Sequence, residues 1–316
     1  MAGIEPQTIV VFARNRPFFG AQVTMFATLW QLKQLYPNAT LKVVVRAGAF
    51  AFLRQLPWVD QVIQADSFKD ELAAIDPSCG LMISLHTTSI KHCLLALLKR
   101  PAKRLSYSGR LGWDWVWTQR CKQDLNVYRT EGHLALLDLL QPLNAYDVSC
   151  ACLESLANAE LRTSLAQERR LTVMPGAGEG EFKKWGIENF LAAAEQCLEH
   201  NVVDKVCFVL GPDESKERDR IARWHLINKA EIWDKPALPD LCALVQASTL
   251  VLTNDCGPSH IAQGCRVPVV AVFDETKPEW FWKRPNAVCL VPTVGQAIGT
   301  VTVDTVVSAC CSLLAK

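Results

Sequence analysis

Apolar positions in the first part of the chain come in short unbroken runs and not in strict alternation. Residues 8–12 (TIVVF), 41–45 (LKVVV), 61–65 and 81–85 (LMISL) predict strands buried on both faces. Between the first two runs, Val23, Phe26, Ala27 and Trp30 recur at helical spacing, on a helix that must end before Pro37. The pattern restarts after Glu160, with strands at 171–174, 205–210 (KVCFVL), 249–253 and 268–273. A helix is predicted over 187–199 and a terminal one over 303–314. Strand and helix alternating at this spacing predict an α/β protein of two doubly wound units, each a parallel sheet covered on both faces. Residues 150–170 read as a helical junction, giving domains at 1–160 and 161–316. Two such sheets are expected to face a central cleft, with ligands beyond the carboxyl ends of the strands.

Composition narrows this picture. A chain of 316 residues exceeds the ~250–300 at which single cores stop growing. Half of it is hydrophobic and 21% charged, as in a well-packed globular protein. The formal charge of +1 speaks against nucleic acid as a partner. Thirteen cysteines scattered without a signal-peptide pattern suit a reducing cytoplasm. No apolar run approaches the ~20 residues of a spanning helix. Charge is sorted locally: residues 91–129 carry nine Lys/Arg against Asp114 and Asp124, and the same stretch holds Trp113, Trp115 and Trp117. That combination reads either as a surface for an anionic partner, with aromatic faces for sugar rings or a membrane interface, or as a solvated face beside core tryptophans.

No Cys-x-x-Cys, His-Glu-x-x-His, Asp-x-Asp, Gly-x-Ser-x-Gly or P-loop pattern occurs, so the expected chemistry uses neither metal nor cofactor. Two segments do carry chemistry. In TLVLTNDCGPSHIAQGC (249–265) a buried strand runs into Asp255, Cys256 and Gly257, and Pro258 then opens a helix bearing Ser259 and His260. A helix start offers unpaired N–H groups to phosphate, Asp255 accepts from ligand hydroxyls, and His260 donates to an oxyanion. The plain reading of the same residues is a capped helix with a satisfied histidine. In LTVMPGAGEGEFKKW (171–185) a strand runs into Gly176, Gly178 and Gly180, followed by Lys183. Such a turn lets backbone approach a phosphate while a lysine adds charge. A dinucleotide fingerprint fails here, because its third glycine position is Glu181.

Taken together, PGAG (175–178), the Lys183–Trp185 pair, LGPDE (210–214), NDCGPSHIA (254–262) and PVVAVFDETKPEW (268–280) resemble glycosyltransferase family 9, the ADP-heptose:lipopolysaccharide heptosyltransferases. The first half matches more loosely, at residues 106–112 and at His133. The resemblance implies a GT-B fold of two Rossmann-like domains, the amino-terminal one for the acceptor and the carboxyl-terminal one for a nucleotide-sugar donor. It implies an inverting, metal-independent transfer of heptose from ADP-heptose to an anionic lipopolysaccharide core. The protein would lie in the cytoplasm, in peripheral contact with the inner membrane. Asp255, Gly257, Ser259, His260, Lys183, Gly176 and Gly178 would hold the donor.

At one place the chain departs from the family. Members typically carry Gly-Asp after the first strand, the Asp serving as general base. Here the loop reads RNRPFFGAQ, and Gly20 is followed by Ala21. His86, at the end of the strand 81–85, is the candidate replacement base. Arg14, Arg16 and Gly20 are the candidate acceptor-binding residues. The rival readings are a pseudoenzyme that binds nucleotide sugar without turnover, and another GT-B activity such as nucleotide-sugar epimerisation or hydrolysis.

Overall fold

The structure, a computed structural model, describes residues 5–13, 17–46, 52–87, 89–109, 112–178 and 180–315. The chain divides into two compact units, Met1–Cys152 and Leu153–Lys316. The division comes earlier than the boundary at 160/161 read from the sequence.

The amino-terminal unit runs β1 (Thr8–Phe12), α1 (Phe19–Leu35), β2 (Thr40–Val45), β3 (Gln61–Gln64), α2 (Phe68–Ala74), β4 (Cys79–Ser84), α3 (Ile90–Lys99), β5 (Lys103–Ser108), β6 (Gln119–Lys122) and α4 (Arg129–Asp138). Its six strands form one parallel sheet in the order β3-β2-β1-β4-β5-β6. β1 is buried along its whole length, as a central strand covered on both faces must be. Helix α1 carries more than a stripe: residues 20–29 are all buried, where the spacing predicted one apolar face. It packs against α4, so its outer side is covered as well. Polar caps set helix starts: Ser67 and Asp70 form a reciprocal capping box on α2, and the Ser89 hydroxyl accepts from the His92 N–H on α3.

Helix α5 (Ala145–Leu156) carries the chain across the division. The carboxyl-terminal unit follows as α6 (Ala159–Leu165), β7 (Arg170–Met174), α7 (Ile187–Glu199), β8 (Lys205–Leu210), α8 (Ser215–Ala222), β9 (Ala230–Asp234), α9 (Leu238–Ala247), β10 (Leu250–Asn254), α10 (Ser259–Gly264), β11 (Val269–Val272), β12 (Ala287–Leu290) and α11 (Val303–Leu314). Its sheet is parallel in the order β12-β11-β10-β7-β8-β9. Counted within each unit, both sheets follow the order 3-2-1-4-5-6. The order reverses between β1 and β4 in the first unit and between β7 and β10 in the second, and ligands of doubly wound sheets bind beyond the strand ends at such points. One core cluster in the second unit gathers Trp185, Phe190, Phe208 and Trp224 beneath β7, β8 and β10. Among the described residues no helix is long and apolar enough to cross a membrane.

Candidate functional site

The second switch point collects most of the candidate donor residues. Asn254, the last residue of β10, ties its parts together. Its side-chain amide donates to the Pro175 carbonyl at 2.7 Å, and its Oδ1 accepts from the Trp185 N–H at 3.2 Å. Trp185 is itself buried in the core, and its indole N–H donates to the Val301 carbonyl at 2.7 Å. The Lys183–Trp185 pair therefore works as a pin and a projection: the tryptophan fixes the segment and the lysine reaches out of the 3-10 turn Glu181–Lys183. Sequence reading singled out Lys183 and Asp255 but passed over Asn254, although an Asn at the end of a buried strand must satisfy its amide somewhere.

Lys183 Nζ lies 3.6 Å from Asp255 Oδ2, and Lys277 Nζ lies 3.9 Å from the same oxygen. Lys277 also reaches Asp274 at 2.8 Å and Glu275 at 3.5 Å. Burial raises the Asp255 carboxyl above the ordinary carboxylate range, with the two lysines pulling the other way. Burial alone would lower the Lys277 ammonium, but the Asp274 hydrogen bond and the surrounding carboxylates raise it. Lys184 faces elsewhere and pairs with Glu181 at 2.9 Å and Glu217 at 2.8 Å.

The start of α10 differs from expectation. The N–H groups of Ser259, His260 and Ile261 donate to the carbonyls of Cys256, Gly257 and Pro258, tightening the entry into consecutive three-residue turns. The helix spans six residues, and its first donors are already engaged. Charge for an anion here therefore comes from the lysines. Ser259, expected on the ligand, turns inward: it is fully buried, and its hydroxyl donates to the Cys256 carbonyl at 2.7 Å. The Cys256 carbonyl thus accepts from both the N–H and the hydroxyl of Ser259. Gly257 stays half-buried at the mouth of this turn. His260 is buried 5.6 Å from the Trp280 ring, and burial lowers its pKa to about 4. It is a neutral imidazole at neutral pH, able to donate a hydrogen bond but bringing no cation. Burial pushes the Cys256 thiol up to about 12, so it remains protonated.

The two candidate glycines of the turn after β7 play different parts. A Cβ at Gly178 would meet nothing within 4 Å, which leaves its backbone approachable. A Cβ at Gly176 would stand 2.6 Å from Glu214 Oε1. Gly176 thus makes room for a carboxylate of the protein's own, and the Glu214 Oε2 accepts from the Gly211 N–H at 2.5 Å. Burial raises the Glu214 pKa, opposed by that N–H. Glu214 closes the LGPDE turn, and its acidic side chain at a strand end beside the glycines was the signal available in the sequence.

In the amino-terminal unit, His86 follows β4 at the switch point, and its Nε2 lies 2.7 Å from the Ala13 carbonyl. A carbonyl oxygen only accepts, so Nε2 carries the proton, and proton uptake by the neutral ring falls to Nδ1. Beneath it, at 4.8 Å, stands the buried ring of His92, whose Nδ1 meets the Ser84 hydroxyl at 2.7 Å. Burial, with His86, Lys91 and Arg46 adding to it, lowers the His92 pKa to about 3. Gly20 and Ala21 lie in the first turn of α1 and are buried. Arg14 and Arg16 lie outside the described residues. His133, on α4, is buried against the Tyr107 hydroxyl at 3.1 Å, as a structural histidine. Among the described residues no three His, Cys, Asp or Glu side chains converge as a metal site would require.

Two parallel six-stranded sheets of the same strand order define a GT-B-like α/β fold, and comparison with known proteins narrows the class. The profile of glycosyltransferase family 9 (heptosyltransferase) matches residues 129–293, and the chain belongs to this family. Over 110 residues it is 29% identical to lipooligosaccharide heptosyltransferase 2 of Campylobacter jejuni, a stretch covering 34% of either chain. The match thus spans about a third of that relative's length. Among solved structures, a family 9 glycosyl transferase from Veillonella parvula superposes with a TM-score of 0.71 at 17% identity, covering 100% of this chain and 99% of the other. The E. coli ADP-heptose lps heptosyltransferase II superposes with a TM-score of 0.67 at 18% identity, covering 98% of each. At these identities the likeness concerns the fold.

Proposed function

We propose that the chain is an inverting, metal-independent glycosyltransferase that moves heptose from ADP-heptose to the anionic core of lipopolysaccharide. The observation that carries the reading is the meeting of Lys183 and Asp255 at the switch point of the second sheet, beside the open backbone of Gly178. A cation for a diphosphate and a carboxylate for sugar hydroxyls stand there within one crevice. Family membership supports the choice of sugar transfer.

In such a transfer the bond between the anomeric carbon and the diphosphate oxygen breaks, and its electron pair stays with that oxygen. The acceptor oxygen attacks from the opposite face, and its proton passes to a base. Lys183 stabilises the charge that gathers on the leaving diphosphate. Asp255 and the His260 ring orient the sugar. The amino-terminal unit takes the acceptor, and His86 Nδ1 is the group assigned to accept its proton.

Contact with the cytoplasmic face of the inner membrane belongs to the same proposal. Leu98 on α3 and Trp115 in the 3-10 turn Asp114–Val116 are 63% and 68% exposed. Arg104 ties the segment just after α3 to that turn by donating to the carbonyls of Pro101 and Val116. Lys99, Arg100, Lys103, Arg104, Arg120 and Lys122 make no ion pair among the described residues. Exposed aliphatic and indole side chains in a stretch rich in unneutralised cations suit an anionic lipid surface.

A second reading, a nucleotide-sugar-binding protein without turnover, is favoured by Ala21, which offers no base in the first turn of α1. The assay that separates them follows ADP release and product mass from ADP-heptose and a lipid A–Kdo-type acceptor in EDTA. Acceptor-dependent release with a heptose mass gain supports transfer, and binding of ADP-heptose without turnover supports the second reading.

A further inference from the structure

Among the described residues two ammonium groups address the Asp255 carboxylate, and only one belongs to the Lys183–Trp185 pair. The other, Lys277, comes from the segment after β11. Its backbone is held firmly: the Lys277 carbonyl accepts from the N–H groups of Trp280 at 2.9 Å and Phe281 at 3.0 Å. The N–H of Trp282 then donates to Gln263 Oε1 on α10 at 2.7 Å. These bonds fix the backbone of the turn, and the Asp274 and Asp255 carboxylates hold the Lys277 ammonium on their side of it. The Lys183 and Lys277 side chains are 15% and 18% exposed, and that of Asp255 is 12% exposed. Charges so far removed from water interact more strongly than surface pairs.

Around Lys277 stand Asp255, Asp274 and Glu275, against the two lysines. The first N–H groups of α10 are engaged within their own turns, so they leave little to stabilise an anion. Building on the donor reading above, we infer that Lys277 is a second cation for the donor's diphosphate, held in place by Asp274 and Asp255 until the donor arrives. On binding, the diphosphate takes the place of Asp255 as the partner of both ammonium groups. Asp255 is thereby released to accept from the sugar's hydroxyls. When the anomeric carbon–oxygen bond breaks, the charge left on the diphosphate falls between Lys183 and Lys277, where a divalent cation would otherwise be needed.

The test is calorimetric titration of the full chain with ADP in EDTA, comparing Lys277→Gln, Lys277→Arg and Asp274→Asn with wild type. Circular dichroism and thermal midpoints check the fold of each. The inference predicts at least ~tenfold weaker ADP binding for Lys277→Gln, with most of the loss recovered by Lys277→Arg. Asp274→Asn frees Lys277 from its nearest carboxylate and should tighten ADP binding. A purely structural Lys277–Asp274 pair would instead weaken binding in both variants alike, and that result overturns the inference. So does an unchanged affinity in Lys277→Gln. If wild type binds none of ADP, GDP, UDP and CDP, the donor reading itself falls, an outcome distinct from a well-binding wild type with an indifferent Lys277.

Discussion

Replacing Gly176 by alanine asks whether the glycine-rich turn after β7 exists to seat Glu214. The new Cβ would lie 2.6 Å from Glu214 Oε1, 2.9 Å from its carboxyl carbon and 3.4 Å from Oε2. Comfortable non-bonded contact begins near ~3.5 Å, so the carboxyl group must move by close to an ångström. The far end of a glutamate can swing aside, but only by giving up the contact of its Oε2 with the Gly211 backbone. The carboxyl is held between two glycines, and leaving strands the Gly211 N–H that now donates to it at 2.5 Å. Stranding this part-buried donor, together with the displaced carboxylate, costs ~1–3 kcal/mol, while Gly→Ala returns ~0.4–1 kcal/mol by restricting the unfolded chain. The net expectation is a loss of ~1–2 kcal/mol, read as a shift of the urea midpoint at unchanged m. Glu214→Ala removes the obstacle, so in that background Gly176→Ala should be neutral or stabilising. A double-mutant cycle then shows coupling of ~1–2 kcal/mol. Additive losses, or a neutral Gly176→Ala in the wild-type background, would refute the reasoning and return Gly176 to a phosphate-approach role.

Other consequences can be measured alongside. If His86 accepts the acceptor's proton, His86→Gln should lower kcat by ~100-fold or more with ADP affinity unchanged; an equal loss in both would make the residue structural. His260 and His92 have folded pKa values lowered to about 4 and about 3, so below pH 6.5 the unfolded chain takes up protons that the folded chain refuses. Stability should therefore fall between pH 7 and pH 5 by ~2 kcal/mol for each histidine, and His260→Gln should show about half the wild-type loss. A wild-type stability flat over that range would contradict the burial of both rings. Binding to vesicles containing phosphatidylglycerol, and not to pure phosphatidylcholine, should weaken by ~tenfold or more in Leu98→Ser/Trp115→Ser; unchanged binding would move the membrane surface elsewhere.

The inner strands were legible because a parallel strand covered on both faces is apolar at nearly every position, as in TIVVF and KVCFVL after their first residues. Strands β6 (QRCK) and β9 (AEIWD) lie at sheet edges, half-buried or exposed, and carry no such run, while the edge strand β12 (AVCL) is apolar but only four residues long. β5 begins with Lys103 and Arg104, which hid an inner strand behind a basic stretch. The site was legible where chemistry and chain neighbourhood coincide, as at Asp255 and Lys183. It was not legible where a side chain's role depends on distant backbone. Ser259 binds a carbonyl three residues back, Asn254 clamps segments from the other end of the unit, and the start of α10 satisfies its own N–H groups. The DETKP stretch carried part of the family resemblance but no role for Lys277, and only the folded turn brings it to Asp255.

The central claim is that the crevice between β7 and β10 binds the donor of a sugar transfer, and Asp255→Ala tests it most directly. The measurement is acceptor-dependent ADP release from ADP-heptose in EDTA, with product mass, in wild type and in an Asp255→Ala variant shown to be folded. The account predicts turnover with a heptose mass gain in wild type and its loss in the variant. Undiminished turnover in folded Asp255→Ala would contradict the assignment of this crevice to the donor.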